Sequence, residues 1–229
     1  MKNFFTKADI ILWCLSVTLI IGSFLIFSHD GYLNLCASLV GVTALIFIAK
    51  GNPVGQLLTV FFSIMYGIIS YSCRYYGEMI TYLGMTAPMA VIALITWLKN
   101  PYGSSKAEVK VRHFRKKDIP PMLLITAAVT AAFYFILSFF NTANIVPSTI
   151  SVATSFLAVY LTYKRSEFYA VAYAANDIVL IILWSLAAMN DISYISVVVC
   201  FIIFFANDIY GFISWSKMKK RQNENISEI

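Results

Sequence analysis

The chain has 229 residues, of which 60% are hydrophobic and only 12% are charged, and its mean hydropathy is +0.77. A soluble domain of this length carries roughly twice that charged fraction, so the composition excludes an ordinary water-soluble fold. The net charge of +6 does not indicate nucleic-acid binding, because the basic residues lie in short connections beside apolar segments.

Eight apolar stretches are long enough to be membrane spans, each of which needs about 20 residues. In chain order they cover residues 10–28, 33–49, 54–73, 79–98, 121–140, 148–163, 168–189 and 192–215. Turn-forming residues separate them, such as Gly51, Asn52 and Pro53 after the second stretch. No small-residue cleavage site follows the first stretch, so we interpret it as a retained span. The predicted fold class is an all-α integral membrane protein with eight transmembrane helices.

The basic residues fall almost entirely on alternate connections between these spans, and only Arg74 lies on the other side. The sixteen on one side are Lys2, Lys7, Lys50, Lys99, Lys106, Lys110, Arg112, Arg115, Lys116, Lys117, Lys164, Arg165, Lys217, Lys219, Lys220 and Arg221. The positive-inside rule then predicts a multi-pass protein of the inner (plasma) membrane with both termini in the cytoplasm. The polar stretch 102–118 is too short for a core, and we interpret it as a solvated linker near membrane lipid.

Residues 38–97 and 151–215 share a layout of three helices. In each unit a small-residue helix ends in a basic turn, an aromatic-rich helix follows, and a third helix ends in Trp close to Lys. Both units begin on the same side of the membrane, so they are parallel repeats. The predicted organisation is a leading helix in 1–32, a first repeat in 33–98, a basic linker in 99–120, an inverting helix in 121–140, a second repeat in 148–215 and a cytoplasmic tail in 216–229. Such repeats enclose a mid-membrane substrate site in known transporters.

Two polar pairs lie inside apolar spans, whereas we expect the other carboxylates mostly in loops or tails. Asn176 precedes Asp177 in the seventh span, and Asn207 precedes Asp208 in the eighth, at a similar depth. An ionisable group at that depth is costly and by default marks a substrate or ion path. The alternative is that both pairs only bond neighbouring helices. We expect at least one pair to bind substrate.

Aromatic residues near these pairs are further candidates for the site. Trp184 and Trp215 each follow an Asp by seven residues and so share its helix face. Trp97 and Trp215 precede basic residues and are interpreted as anchors at the membrane interface, which leaves Trp184 to stack on a ring. Other candidate lining residues are Ser63, Tyr66, Tyr160, Tyr169 and Tyr173.

Several absences narrow the function. The chain has no phosphate-binding glycine loop, no metal-ligand cluster and no nucleophile–base pair. ATP-driven transport by this chain alone, intramembrane enzymology and a bound cofactor are therefore not expected. Its four cysteines have no CxxC spacing and are interpreted as packing thiols. Pro88, within the fourth span, is expected to kink that helix.

The order and spacing of several short motifs make the chain similar to the PnuC-type vitamin transporters over about residues 35–220. The motifs are Ser38-Leu-Val-Gly41 leading to Ala49-Lys50-Gly51, Tyr75-Tyr-Gly-Glu78, Pro88-Met89 followed by Trp97, Lys164-Arg165-x-Glu167, and Gly211-x-x-x-Trp215 before the basic tail. The resemblance implies a 3 + 1 + 3 layout related to SWEET transporters and a homotrimer. It also implies import of nicotinamide riboside for NAD biosynthesis by facilitated diffusion, with the substrate trapped by a cytoplasmic kinase.

Two departures from the family pattern leave the substrate open. Ala90 stands where the family usually has Asn, and residues 168–172 lack the family's Trp-x-x-Trp pair. Nicotinamide riboside and thiamine both carry a fixed positive ring, which suits an aromatic box with a carboxylate. The alternatives are a proton- or sodium-coupled carrier of thiamine, riboflavin or a deoxyribonucleoside using Asp177 or Asp208, and a membrane scaffold without transport.

Overall fold

The computed structural model describes residues 4–27, 31–72, 76–103, 107–142 and 144–227. Within these ranges, eight helices are long and apolar enough to cross a membrane, which confirms the predicted fold class. They are α1 (Lys7–Phe27), α2 (Tyr32–Ala49), α3 (Pro53–Ser72), α4 (Tyr76–Lys99), α5 (Ile119–Phe139), α6 (Ile145–Tyr163), α7 (Tyr169–Ala188) and α8 (Ile195–Ser227). Several residues used above lie outside the described ranges, namely Lys2, Arg74, Tyr75, Lys106 and one of the four cysteines, Cys73.

The eight helices define two ends of the bundle. We call the end that holds the start of α1 and the end of α8 the terminal face, and the other end the opposite face. The helix α8 continues without a break to Ser227, so most of the predicted tail is helical, and Met218 and Gln222 within it are buried.

The helix contacts in the first half of the chain have counterparts in the second half. The helices α2, α3 and α4 pack in sequence, as do α6, α7 and α8; between these groups, α2 contacts α8 and α4 contacts α6. The helix α1 lies against α2 and α8, and α5 lies against α6 and α4. A twofold relation between the halves would produce this arrangement, although the repeat itself stays a prediction.

Equivalent turns end α2 and α6 at the terminal face. Gly51 and Arg165 both adopt left-handed backbone conformations, with φ of 65° and 58°. In each turn the following N–H reaches back to the helix: Asn52 N–H donates to the Phe47 carbonyl at 3.0 Å, and Ser166 N–H donates to the Leu161 carbonyl at 3.1 Å. This is the Schellman ending, which satisfies carbonyls that a helix leaves without partners.

Trp97 and Trp215 form a buried pair at the terminal face, so their interpretation as interface anchors is wrong. Both are 0% exposed, and their ring centroids are 5.4 Å apart. The Trp97 indole N–H donates to the Thr162 carbonyl at 3.0 Å, and the Trp215 indole N–H donates to the Ile48 carbonyl at 2.7 Å. Each tryptophan therefore bonds the end of a helix in the other half. We call these two residues the tryptophan pair.

Residues 107–112, here called the linker segment, pack on the terminal face, which corrects the expectation of a solvated linker. Val109 is fully buried and belongs to the same apolar cluster as the tryptophan pair and Met218. Four consecutive N–H groups donate to four different elements. These bonds, all 2.9 Å long, run from Val109 to Gly51 O, from Lys110 to Asn100 O, from Val111 to Gln222 Oε1 and from Arg112 to Arg165 O.

An irregularity divides α4 near the predicted kink. Residues Thr81–Thr86 form a π-helical turn directly before the regular helix that contains Pro88. The Ala87 N–H bonds the Tyr82 carbonyl, one residue further back than in an α-helix. The wider turn accommodates the proline, which has no N–H of its own and cannot continue the usual ladder.

We expect the variants Trp97→Phe and Trp215→Phe each to lower the apparent Tm of the protein in detergent. Each loses a buried hydrogen bond worth about 1 kcal/mol together with some ring packing. Trp13→Phe is the matched control, because Trp13 is exposed and its indole bonds the Thr43 hydroxyl at 3.1 Å on the outside of the bundle. Equal Tm values for all three variants would contradict a structural role for the pair.

Candidate functional site

Three adjoining cavities lie between the two halves. The vestibule, about 290 Å³ in volume, lies at the opposite face, where Glu78 and four aromatic residues contribute to its wall. A neck of about 30 Å³ shares Glu78, Thr142 and Ser148 with the vestibule. A central cavity of about 80 Å³ shares four wall residues with the neck: Tyr82, Thr86, Ser155 and Leu180. The shared walls order the cavities into one path from the opposite face toward the middle of the bundle.

Asp177 from α7 and Asp208 from α8 both line the central cavity, as the depth of the two pairs led us to expect. They are 4% and 3% exposed, and their carboxyl groups lie close enough to interact. No hydrogen-bond donor among the described residues reaches the Oδ2 atom of Asp177. A buried carboxylate is costly unless it shares a proton with a neighbouring carboxyl group or receives a ligand group, so the pair is suited to either role.

The neighbouring asparagines bond other helices. The Oδ1 atom of Asn176 accepts hydrogen bonds from three hydroxyl groups of α6, those of Ser151 (3.2 Å), Thr154 (2.9 Å) and Ser155 (3.0 Å). The Nδ2 group of Asn207 donates to Ser16 Oγ of α1 at 3.0 Å and to the Ile203 carbonyl at 2.8 Å. Asn176 therefore joins α7 to α6 while lining the central cavity, and Asn207 joins α8 to α1.

The structure places two of the predicted tyrosines beside the path. Tyr173 lines the central cavity. Tyr66 is buried one layer behind it, with its ring centroid 5.1 Å from that of Tyr82, which does line the path.

The remaining candidates lie further from the cavities. Ser63 is fully buried and donates to the Thr59 carbonyl at 2.8 Å. Tyr169 packs edge-on against Trp215, with centroids 5.0 Å apart, and so belongs to the closed terminal face. Tyr160 lies under the Lys164 ammonium group, 5.2 Å from the ring centroid.

Trp184 lies in the vestibule and does not line the cavity that holds Asp177. Its ring centroid is 5.4 Å from that of Tyr194, which is near the start of α8. The seven-residue spacing correctly places Trp184 and Asp177 on one helix face, but two turns of helix separate them along the path.

The expectation that only two carboxylates lie outside loops and tails is wrong, because Glu78 and Asp9 are also within helices. Asp9 has a structural role: it pairs with the Lys50 ammonium group at 3.0 Å and accepts hydrogen bonds from Thr6 and Tyr210. Glu78, by contrast, faces the vestibule and the neck. A fourth span starting three residues earlier would have revealed Glu78 as an intramembrane carboxylate.

The path is closed on the side of the terminal face. The cluster of the tryptophan pair, Tyr169, Val109 and Met218 fills that end of the bundle. The conformation is therefore hollow at the opposite face and packed at the terminal face.

Comparisons with known proteins agree with this architecture. Residues 31–217 match the sequence model of a family described as nicotinamide mononucleotide transporter. The chain is similar to the nicotinamide riboside transporter PnuC of Neisseria mucosa, with 24% identity over 202 residues that cover 86% of this chain and 77% of that protein. It is also similar to PnuC of Haemophilus influenzae, with 22% identity over 199 residues and coverage of 85% and 83%.

The fold has a solved counterpart as well. The crystal structure of the vitamin B3 transporter PnuC superposes with a TM-score of 0.82 at 21% identity, covering 95% of this chain and 94% of that one. The sequence resemblance to PnuC-type transporters is thereby confirmed. Because the family match spans most of the chain, this protein belongs to the nicotinamide mononucleotide transporter family and is a membrane transporter.

Proposed function

We propose that the chain imports nicotinamide riboside, or a closely similar cationic vitamin, along the path formed by vestibule, neck and central cavity. The observation that supports this substrate class is the composition of the walls. Three carboxylates, Glu78, Asp177 and Asp208, line the path together with aromatic rings. A planar ring with a fixed positive charge gains both cation–π and Coulomb attraction in such surroundings.

The walls favour a riboside over a mononucleotide. Among the described residues that line the three cavities, none is Lys or Arg. A phosphate group needs basic side chains or a cluster of N–H donors to replace its water, and carboxylates would repel it. The family is described by the mononucleotide, whereas the two similar PnuC proteins are named for the riboside. The chemistry of the cavity walls agrees with the riboside.

A proton-coupled carrier is the second candidate function. Asp177 and Asp208 face one small cavity from adjacent helices, and a pair of neighbouring carboxyl groups can hold one proton between them. Release of that proton on substrate binding would couple uptake to a proton gradient. Facilitated diffusion needs no such step, and we propose it as the main mechanism with phosphorylation by a cytoplasmic kinase as the trap.

We further propose the location and assembly of the protein. The charge distribution supports the inner (plasma) membrane with both termini in the cytoplasm, so the closed terminal face would be the cytoplasmic one. The resemblance to PnuC-type transporters supports a homotrimer that supplies NAD biosynthesis. A native mass of the detergent-solubilised protein tests the trimer.

Uptake of labelled nicotinamide riboside into proteoliposomes tests the transport mechanism. We expect uptake that reaches equilibrium, persists with a protonophore, and accumulates further only when a riboside kinase and ATP are enclosed. Liposomes without protein are the control. Collapse of uptake by the protonophore would instead favour the proton-coupled carrier, and equal uptake by empty liposomes would contradict transport.

Reporter fusions test the membrane orientation. A reporter active only in the cytoplasm should be active after Ile229 and inactive in the connection between α5 and α6, because sixteen of seventeen basic residues then face the cytoplasm. Activity at both positions, or the reverse result, would contradict the proposed orientation.

The variant Asp177→Asn tests the central cavity. Losing a buried hydrogen bond to a charged partner costs about 1.5–3 kcal/mol, or roughly tenfold to a hundredfold in affinity. We therefore expect at least roughly tenfold weaker binding of nicotinamide riboside by calorimetry, with a smaller effect on a neutral analogue. Asp191→Asn, in the turn between α7 and α8, is the matched control. Unchanged affinity in a folded Asp177→Asn protein would show that the pair is structural.

A further inference from the structure

The vestibule contains a set of groups that the central site does not require. Its wall carries two close ring pairs: Tyr76 with Phe140, whose centroids are 5.9 Å apart, and Trp184 with Tyr194, at 5.4 Å. These rings come from α4, the end of α5, α7 and the start of α8. Glu78 contributes a carboxylate to the same wall, at the junction with the neck.

The connection between α5 and α6 contributes two asparagines to the vestibule wall. Asn141 and Asn144, both in its wall, adopt left-handed conformations with φ of 50° and 54°. Asn is, after glycine, a residue type that commonly adopts this conformation. Asn141 ends α5 in a Schellman turn, in which the Thr142 N–H donates to the Leu137 carbonyl at 3.0 Å. Asn144 directly precedes α6. The two asparagines therefore shape the connection between α5 and α6 in the vestibule wall. Their side chains add hydrogen-bonding amides to the aromatic and acidic wall.

The cavity volumes separate the vestibule from the central site. A ligand of nucleoside size needs a pocket of about 300 Å³ or more, which the vestibule approaches at about 290 Å³. The neck and the central cavity, at about 30 and 80 Å³, have room only for a few water molecules in this conformation. A ligand can therefore occupy the vestibule while the central cavity is still closed.

We propose that the vestibule is a separate binding site for planar organic cations, formed by Glu78 and its four aromatic rings, and occupied before the ligand reaches Asp177 and Asp208. Aromatic faces and a carboxylate attract a delocalised cation, and the described wall contains no basic side chain that would compete for Glu78. The inference deepens the proposed function, on which its order of events rests, but binding at this site does not require transport.

Tryptophan fluorescence can report on this site alone. The chain has four tryptophans, and of these only Trp184 lines the vestibule. Trp97 and Trp215 are buried at the other end, and Trp13 is on the outside of α1. An electron-poor pyridinium ring that stacks on an indole quenches its emission, so a bound cation should quench Trp184 selectively.

The experiment titrates the full-length protein in detergent with two probes that share the ring and its amide: 1-methylnicotinamide, which is a cation and differs by one N-methyl group, and nicotinamide, which is neutral. We expect saturable quenching by the cation and at least roughly tenfold weaker binding of the neutral probe. Trp184→Phe should abolish the quenching. Glu78→Gln should weaken cation binding by roughly tenfold while leaving binding of nicotinamide unchanged, and Glu224→Gln, at the exposed end of α8, should match the wild type.

The outcomes separate this site from the proposed function. Linear, unsaturated quenching, equal affinity for both probes, or quenching that survives Trp184→Phe would overturn the vestibule site even if riboside uptake is normal. Saturable, Glu78-dependent quenching in a protein that shows no uptake would support the site and contradict the proposed transport. If Glu78→Gln does not fold, the comparison of the two probes on the wild type still decides between these results.

Discussion

The closed end of the transporter depends on two indole N–H groups that cross between its halves. Each donates to a carbonyl at the end of a helix, Ile48 of α2 or Thr162 of α6, which already accepts one bond within its own turn. The linker segment then binds the carbonyls of Gly51 and Arg165 in those same turns. Both helix ends are thus held by the other half and by the linker, and the bundle cannot open there without breaking these bonds together.

This arrangement explains why the cavities lie where they do. Tight packing at the terminal face leaves the space between the halves at the opposite face, where the vestibule forms. Burying the carboxylates along the path in a membrane protein costs free energy. The hydrogen bonds of Asn176 and Asn207 to α6 and α1 satisfy the asparagines but not the carboxylates beside them. A cationic ligand moving along the path would offset the cost of the carboxylates. Opening of the terminal face then requires the tryptophan pair to separate.

The sequence predicted the eight spans because apolar length and charge placement are visible residue by residue. The prediction that Trp97 and Trp215 are interface anchors was wrong, because a Trp close to Lys at a helix end has the same sequence pattern whether it lies at the membrane interface or in a buried contact. It missed Glu78 because the predicted span began at residue 79, whereas α4 begins three residues earlier, at Tyr76. The packing of the linker segment could not be predicted, because its hydrogen bonds are donated by backbone N–H groups, which every residue except proline has. The depth of Asn176 and Asn207 in their spans also could not show that their side chains bond α6 and α1.

A structure of the full-length protein determined with nicotinamide riboside tests the transport path most directly. We predict density for the ligand within the path between the halves, with its ring near Glu78 and the aromatic residues of the vestibule or, in a rearranged conformer, near Asp177 and Asp208. Ligand density only in the apolar groove between α1 and α2, beside Trp13 and Phe47, would contradict the path. So would a structure at saturating ligand with the path empty.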